Sequence, residues 1–302
     1  MRLVILVCLL AGIIPAWAES SGGSAQIAPI VPRTLVAWGD SYTAGNEDHS
    51  GVTYPNVLAP LFWPHRTVVN NGVGGDTSSQ ILTRFQAVSA LWCDETLIWS
   101  GRNNYTDPTT VQSDIAAMIA DVLPCTHQYM VLSIMNGEYA NEHAGQTNYN
   151  DIINLNSALA STYGQNYLDV RSMLVAAYNP ANGADVLDRT NDVPPFTLRA
   201  VDTSGVLSGA LDSSSCSFTL TPAAGTVTAY FILTIDSEYI LLTTISGGTT
   251  VTACTRGYGG TTAASHNNGA SYAGTDPAHL SAAGYTLVAQ YIYAKTMTLG
   301  GW

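Results

Sequence analysis

Lysine is nearly absent from this 302-residue sequence: Lys295 is the only one, and acidic residues outnumber basic ones by 22 to 10. Binding to phosphates relies on Lys and Arg, so nucleic acid and anionic membrane surfaces are poor partners for such a chain. The acidic balance favours solubility and identifies no substrate. Metal-ligand spacing is missing as well. His49, His65, His127, His143, His266 and His279 are scattered and no Cys-x-x-Cys occurs, so no metal site is indicated and no cofactor is expected. The N-terminal apolar run, Leu3 to Pro15, is shorter than the roughly 20 residues that span a bilayer, and no basic stop-transfer cluster follows it.

That run lies between Met1-Arg2 and Ala16-Trp17-Ala18, the small-x-small form of a signal-peptidase site. Residues 1–18 therefore read as a cleaved signal peptide, and 19–32, rich in Ser, Gly, Ala and Pro, as a flexible lead-in. A secreted or periplasmic location follows, without stable membrane association. Export makes the cysteines interpretable: with Cys8 removed, Cys93, Cys125, Cys216 and Cys254 remain, an even number in an oxidising compartment. Cys93 and Cys125 precede two consecutive strands expected to start at one sheet edge. That favours Cys93 with Cys125, and Cys216 with Cys254.

Apolar strand patterns before residues 39, 70 and 100, and at Tyr129–Met135 and Asn166–Val170, alternate with helical periods at Tyr54–Phe62, Ser78–Leu91, Thr110–Leu123, Asn150–Tyr163 and Ala282–Met297. The expected fold is α/β: a doubly wound, five-stranded parallel sheet in three α/β/α layers. Three short blocks directly follow the first three strands: Gly39-Asp40-Ser41-Tyr42, Gly74-Gly75-Asp76-Thr77 and Gly101-Arg102-Asn103. Loops at the carboxyl ends of parallel strands converge on one rim. A fourth block, Asp276-Pro277-Ala278-His279, supplies what the serine lacks. Ser41 needs a base, for which His279 is the candidate, and the base needs an acid to fix its tautomer, for which Asp276 is. An oxyanion needs preorganised donors, and Gly75 N–H and the Asn103 amide qualify.

With these residues the sequence resembles the GDSL or SGNH hydrolases, over about residues 33–199 and 274–298. The resemblance implies a flavodoxin-like strand order 2-1-3-4-5, attack by Ser41 on carboxylic esters, and an oxyanion hole of Ser41 N–H, Gly75 N–H and Asn103. Two departures stand out: Tyr42 where leucine usually follows the serine, and Asn104 where aspartate often follows the asparagine. Altered packing is expected from both.

Between Leu198 and Gly274 the texture turns to Ser, Thr and Gly with alternating apolar residues and almost no charge, the pattern of short antiparallel strands joined by glycine turns. Residues 200–273 thus read as an inserted β subdomain, splitting the hydrolase domain into 33–199 and 274–302. Asp236-Ser-Glu-Tyr-Ile, Arg256-Gly-Tyr-Gly-Gly and His266-Asn-Asn-Gly resemble a small β module of phage tail and other virion-associated proteins. Beside the rim it would be either a lid over the substrate or a structural outgrowth.

Other residues compete for roles. His266 lacks an aspartate three residues earlier, and Asp202 is separated from His279 by the insert, so His279 and Asp276 are preferred. Tyr42, Tyr105, Glu138 and His143 are candidate substrate contacts, whereas Trp38 and Trp99 read as core. The expectation is an exported serine esterase without cofactor. Its hydroxyl-rich insert leans toward acetylated carbohydrate, that is, an O-acetyl esterase. The alternatives are a lipase, arylesterase or acyltransferase of the same fold, or a glycan-binding adhesion module with a decayed hydrolase domain.

Overall fold

A computed structural model describes residues 34–45 and 47–299. The expected signal peptide and lead-in lie outside them. The first unit of structure is a parallel sheet of β1 (Leu35–Gly39), β2 (Val68–Gly72), β3 (Glu95–Trp99), β4 (Tyr129–Leu132) and β5 (Tyr167–Leu168), in the order β2-β1-β3-β4-β5. Every residue of β1 and β3 is buried, as central strands covered on both faces must be. Successive side chains alternate between faces. Leu35, Ala37, Leu97 and Trp99 pack on one side with α2 (Tyr54–Leu58), α6 (Val170–Ala176) and α8 (Ala282–Thr298). Val36, Trp38 and Ile98 pack on the other with α3 (Ser78–Gln86), α4 (Pro108–Val122) and α5 (Thr147–Tyr163). A four-residue helix, α1 (Ser41–Ala44), follows β1, and α7 (Gly183–Asn191) follows α6.

The remaining strands form a closed antiparallel barrel: β6 (Arg199–Ser208), β7 (Phe218–Ala224), β8 (Ile232–Ile235), β9 (Glu238–Ser246), β10 (Thr250–Thr255) and β11 (Ser271–Leu280), in the order β10-β7-β6-β11-β8-β9. Alternation again decides the faces. Leu233, Ile235, Ile240 and Leu242 fill the barrel. Ile232, Tyr239 and Leu241 point outward and meet Ala184 and Phe196 of the α/β part, together with Tyr258. Burying each large apolar side chain there contributes about 1.5–3 kcal/mol, so the barrel is fastened by its own outer face.

Several boundaries move. The expected helix Tyr54–Phe62 becomes α2 and a single 3₁₀ turn, Ala59–Leu61, around Pro60, and α3 stops at Gln86. Helices α6 and α7 had no counterpart in the periodicity. Their start signals are Asp169, which accepts from Ser172 N–H, and Asn182, which accepts from Ala184 and Asp185 N–H. The inserted strands are not all short, since β6 and β11 run ten residues each. Both expected disulfides form: Cys93–Cys125 ties the approaches to β3 and β4, and Cys216–Cys254 staples the barrel between the β7 approach and β10. Among the described residues no helix is long and apolar enough to cross a membrane.

Candidate active site

The site begins where β1 stops. Asp40 caps α1 by accepting Tyr42 N–H at 3.0 Å, so Ser41 enters the first helical turn, where N–H groups lack intrahelical acceptors. The tight passage requires glycine at position 39. A Cβ there would fall 2.2 Å from Thr43 Oγ1 and 2.5 Å from the Trp99 carbonyl. Asp40 is enclosed, and burial pushes its carboxyl up to about 6 against the pull of Tyr42 N–H and the Arg102 charge.

The loops after β2 and β3 close around the serine. A Cβ on Gly74 would lie 3.9 Å from that of Ser41, and Gly75 adopts φ +81°, a left-handed conformation suited to glycine. Asn103, on the 3₁₀ turn Arg102–Asn104, donates one amide hydrogen to the Asp76 carbonyl at 2.9 Å. Its neighbour Asn104 accepts Ser78 N–H at 3.0 Å and donates to Ser78 Oγ at 2.9 Å, so an uncharged amide here pins the start of α3. Arg84 ties the loops together by donating to Asp76 Oδ2, the Asn71 carbonyl and the Gly39 carbonyl.

The fourth block arrives on the last barrel strand. β11 pairs with β6 through Thr275 and then breaks register until Leu280, and the irregular stretch projects Asp276 and His279. His279 Nε2 lies 2.9 Å from Ser41 Oγ and Nδ1 lies 3.2 Å from Asp276 Oδ1. The second contact is within ion-pair distance but does not meet hydrogen-bond geometry, as is common before substrate binds. Asp276 Oδ1 also accepts the N–H groups of Ala278 at 2.6 Å and His279 at 2.7 Å. Burial pushes the Asp276 carboxyl up, but the His279 ring and these N–H groups outweigh it and hold it below the usual range. Burial pulls His279 down, yet its bond to Asp276 and the charges of Asp276, Glu47 and Asp40 leave it raised. The arrangement can draw a proton from Ser41 to an imidazole whose resulting charge faces a carboxylate.

The other candidates fall elsewhere. Tyr42 does not line an open pocket: it is buried, donates its hydroxyl to the Ala278 carbonyl at 3.0 Å and packs beside the His279 ring, so tyrosine in place of leucine braces the histidine turn. Glu138 is likewise enclosed, accepting Tyr258 O–H at 2.8 Å with His143 Nε2 at 3.4 Å, which places it against the barrel rather than in the cleft. Half-buried Tyr105 donates to Glu142 Oε1 at 3.2 Å and accepts from Asn148. His266 is held between Asp236 and Glu238 of the barrel, and Asp202 faces His49 at 3.2 Å, so neither contacts Ser41. The sequence reading missed Arg102 and Glu142, a 2.9 Å pair that anchors the block-three loop to the turn at Gly137. An arginine directly before Asn103 was the available signal. Among the described residues no cluster of three or more His, Cys, Asp or Glu could hold a metal ion.

Sheet order and the loops gathered at its carboxyl edge define a flavodoxin-like α/β/α fold. The chain belongs to the GDSL-like Lipase/Acylhydrolase family, whose profile matches residues 37–192, over half of its length. It is 30% identical over 108 residues to the tail spike protein of Salmonella phage epsilon15, covering 34% of this chain and 10% of that protein, so it spans about a tenth of that relative's length. Similar solved structures include AlinE4, an SGNH-hydrolase family esterase (21% identity, TM-score 0.38, 46% of this chain and 76% of that one). Another is the lipase/acylhydrolase from Enterococcus faecalis (17% identity, TM-score 0.41, 49% and 80%).

Proposed function

We propose that the protein is an exported serine esterase that cleaves carboxylic esters through a Ser41 acyl-enzyme. The observation that carries this reading is the 2.9 Å contact of His279 Nε2 with Ser41 Oγ, continued from Nδ1 to Asp276. Ser41 Oγ attacks the ester carbonyl carbon while His279 takes its proton. Ser41 N–H, Gly75 N–H and the second amide hydrogen of Asn103 stabilise the oxyanion. His279 then protonates the departing alcohol and activates the water that releases the acid. Asp276 holds the imidazole tautomer throughout. No cofactor takes part in these steps.

Two disulfides support an oxidising, extracytoplasmic location. For the alcohol half of the substrate, the favoured reading is acetylated carbohydrate. The barrel loop brings Tyr230, at φ +70°, against Tyr139 with ring centroids 5.5 Å apart, and burial and the Asp276 charge push the Tyr139 hydroxyl up to about 12. A half-buried aromatic pair close to Asp276 suits stacking on a sugar ring. The likeness to a tail spike protein over 108 residues is consistent with a virion-type module in this chain. Acetate release from O-acetylated polysaccharides, compared with cleavage of long-chain acyl esters, tests the substrate class. Preference for the acyl esters would overturn the carbohydrate assignment, and release lost in Tyr230→Ala but kept on p-nitrophenyl acetate would support it.

A further inference from the structure

The barrel holds the histidine turn from both sides, and one arginine is central to that hold. Arg199, the first residue of β6, has its side chain only 1% exposed. Its Nη1 donates to the Pro277 carbonyl at 3.1 Å and its Nη2 to Asp188 Oδ2 at 3.0 Å. The same Pro277 carbonyl accepts Glu138 N–H at 2.7 Å. On the far side of His279, Ser281 N–H donates to the Leu198 carbonyl at 2.9 Å, and Leu280 pairs across from Arg199. Residues 198 and 199 therefore bracket His279, one peptide before it and one after. The Pro277 oxygen that Arg199 fixes lies inside the turn that Asp276 caps.

We propose that Arg199 is a positioning residue for His279: by gripping Pro277 O from the barrel's first strand, it sets the turn that aims the imidazole at Ser41. The inference rests on the esterase reading above and gives the barrel a role in catalysis besides any contact with substrate. The charges around Arg199 fit a permanent clamp. Burial pushes Asp188 well above the carboxylate range, with Arg199 opposing and Glu138 adding to the rise. Glu138 is driven up by burial but held below the usual carboxylate range by His143, Arg199 and Asp188, so the guanidinium lies in the field of a carboxylate. A guanidinium spans Pro277 O and Asp188 with separate nitrogens, and an ammonium cannot reproduce that fork.

The test is Arg199→Lys in the full chain, read by p-nitrophenyl acetate kinetics, near-UV circular dichroism and NMR titration of the His279 ring. The expected result is a folded protein with unchanged KM, kcat lower by about 10²-fold, and a His279 titration shifted down toward ordinary imidazole. Asp188→Asn, which loosens the arginine without removing it, shifts both readouts in the same direction by less, and it carries the test should Arg199→Lys not fold. Tyr258→Phe cuts the barrel's bond to Glu138 but leaves Pro277 O with both donors, so it keeps the wild-type kcat and titration. Wild-type kcat in Arg199→Lys, an unmoved His279 titration, or an equal loss in Tyr258→Phe would each overturn the proposal. If the wild type turns over no ester, the esterase reading fails, while the ring titration still decides whether Arg199 positions His279.

Discussion

Asp276→Asn separates the charge of the acid from its shape. Asparagine keeps a carbonyl for the Ala278 and His279 N–H groups that Asp276 Oδ1 now accepts at 2.6 and 2.7 Å, so the turn should persist. What disappears is the carboxylate 3.2 Å from His279 Nδ1. That carboxylate keeps the proton on Nδ1 and leaves Nε2 free to accept from Ser41, whereas an amide presenting its NH₂ favours the opposite tautomer. The corresponding substitution in a serine protease triad lowers kcat about 10⁴-fold, or about 5.5 kcal/mol of transition-state stabilisation, and a loss of that order is expected here. The pH profile should move as well. Wild-type His279 titrates above its ordinary value because the bond and charge of Asp276 outweigh burial. The acid limb of kcat/KM, where the base must be neutral, therefore lies above the usual imidazole range. Without the charge, burial is opposed by the weaker pull of Glu47 and Asp40, and the limb shifts to lower pH. The assay is kcat/KM for p-nitrophenyl acetate across the neutral range, with thermal unfolding measured alongside. A loss below about tenfold with an unmoved acid limb would refute the triad reasoning.

Asn103→Ala removes one proposed oxyanion donor and should lower kcat by about 10²–10³ with little change in KM; an unaffected kcat would exclude the amide from the hole. Gly39→Ala sets a methyl against Thr43 Oγ1 and the Trp99 carbonyl, so destabilisation of about 1–3 kcal/mol should appear as a lower Tm, and an unchanged Tm would contradict the packing described. In the barrel, burial raises Glu238, but Arg256, Ala264 N–H and His266 bring its carboxyl down to about 2 from 4.5. Because the folded value is the lower one, this stabilisation, about 3 kcal/mol, is complete above pH 4.5 and is lost as pH falls toward 2. Urea midpoints of wild type and Glu238→Gln should accordingly converge in that window, and a constant gap would contradict the assignment.

Much of the site was legible because its parts are local. Ser41, Gly75 and Asn103 each follow a strand whose apolar run marks it, and a parallel sheet brings such loops to one edge. The histidine turn was legible as a motif but not as a position. Asp276 and His279 were expected after the insert, whereas they ride on its last strand, a consequence of β11 pairing with β6 across more than sixty residues of sequence. Tyr42 and Glu138 were misplaced for a related reason: a strand-end polar residue reads as facing the cleft, and only the arrival of Ala278 and Tyr258 buries them. Helices α6 and α7 escaped because each is short, so the apolar period has too few turns to register and only the caps at Asp169 and Asn182 announce them. The Arg199 contacts involve Asp188 and Pro277, eleven and seventy-eight residues away, and no spacing rule predicts such a pair.

The proposed chemistry requires Ser41 to be the nucleophile, activated by a histidine delivered on a barrel strand. Labelling the full chain with a fluorophosphonate and mapping the adduct by peptide mass spectrometry tests it most directly. A covalent adduct is expected on Ser41, abolished in Ser41→Ala and strongly slowed in His279→Ala. An adduct on another residue, or labelling that survives Ser41→Ala, would contradict it.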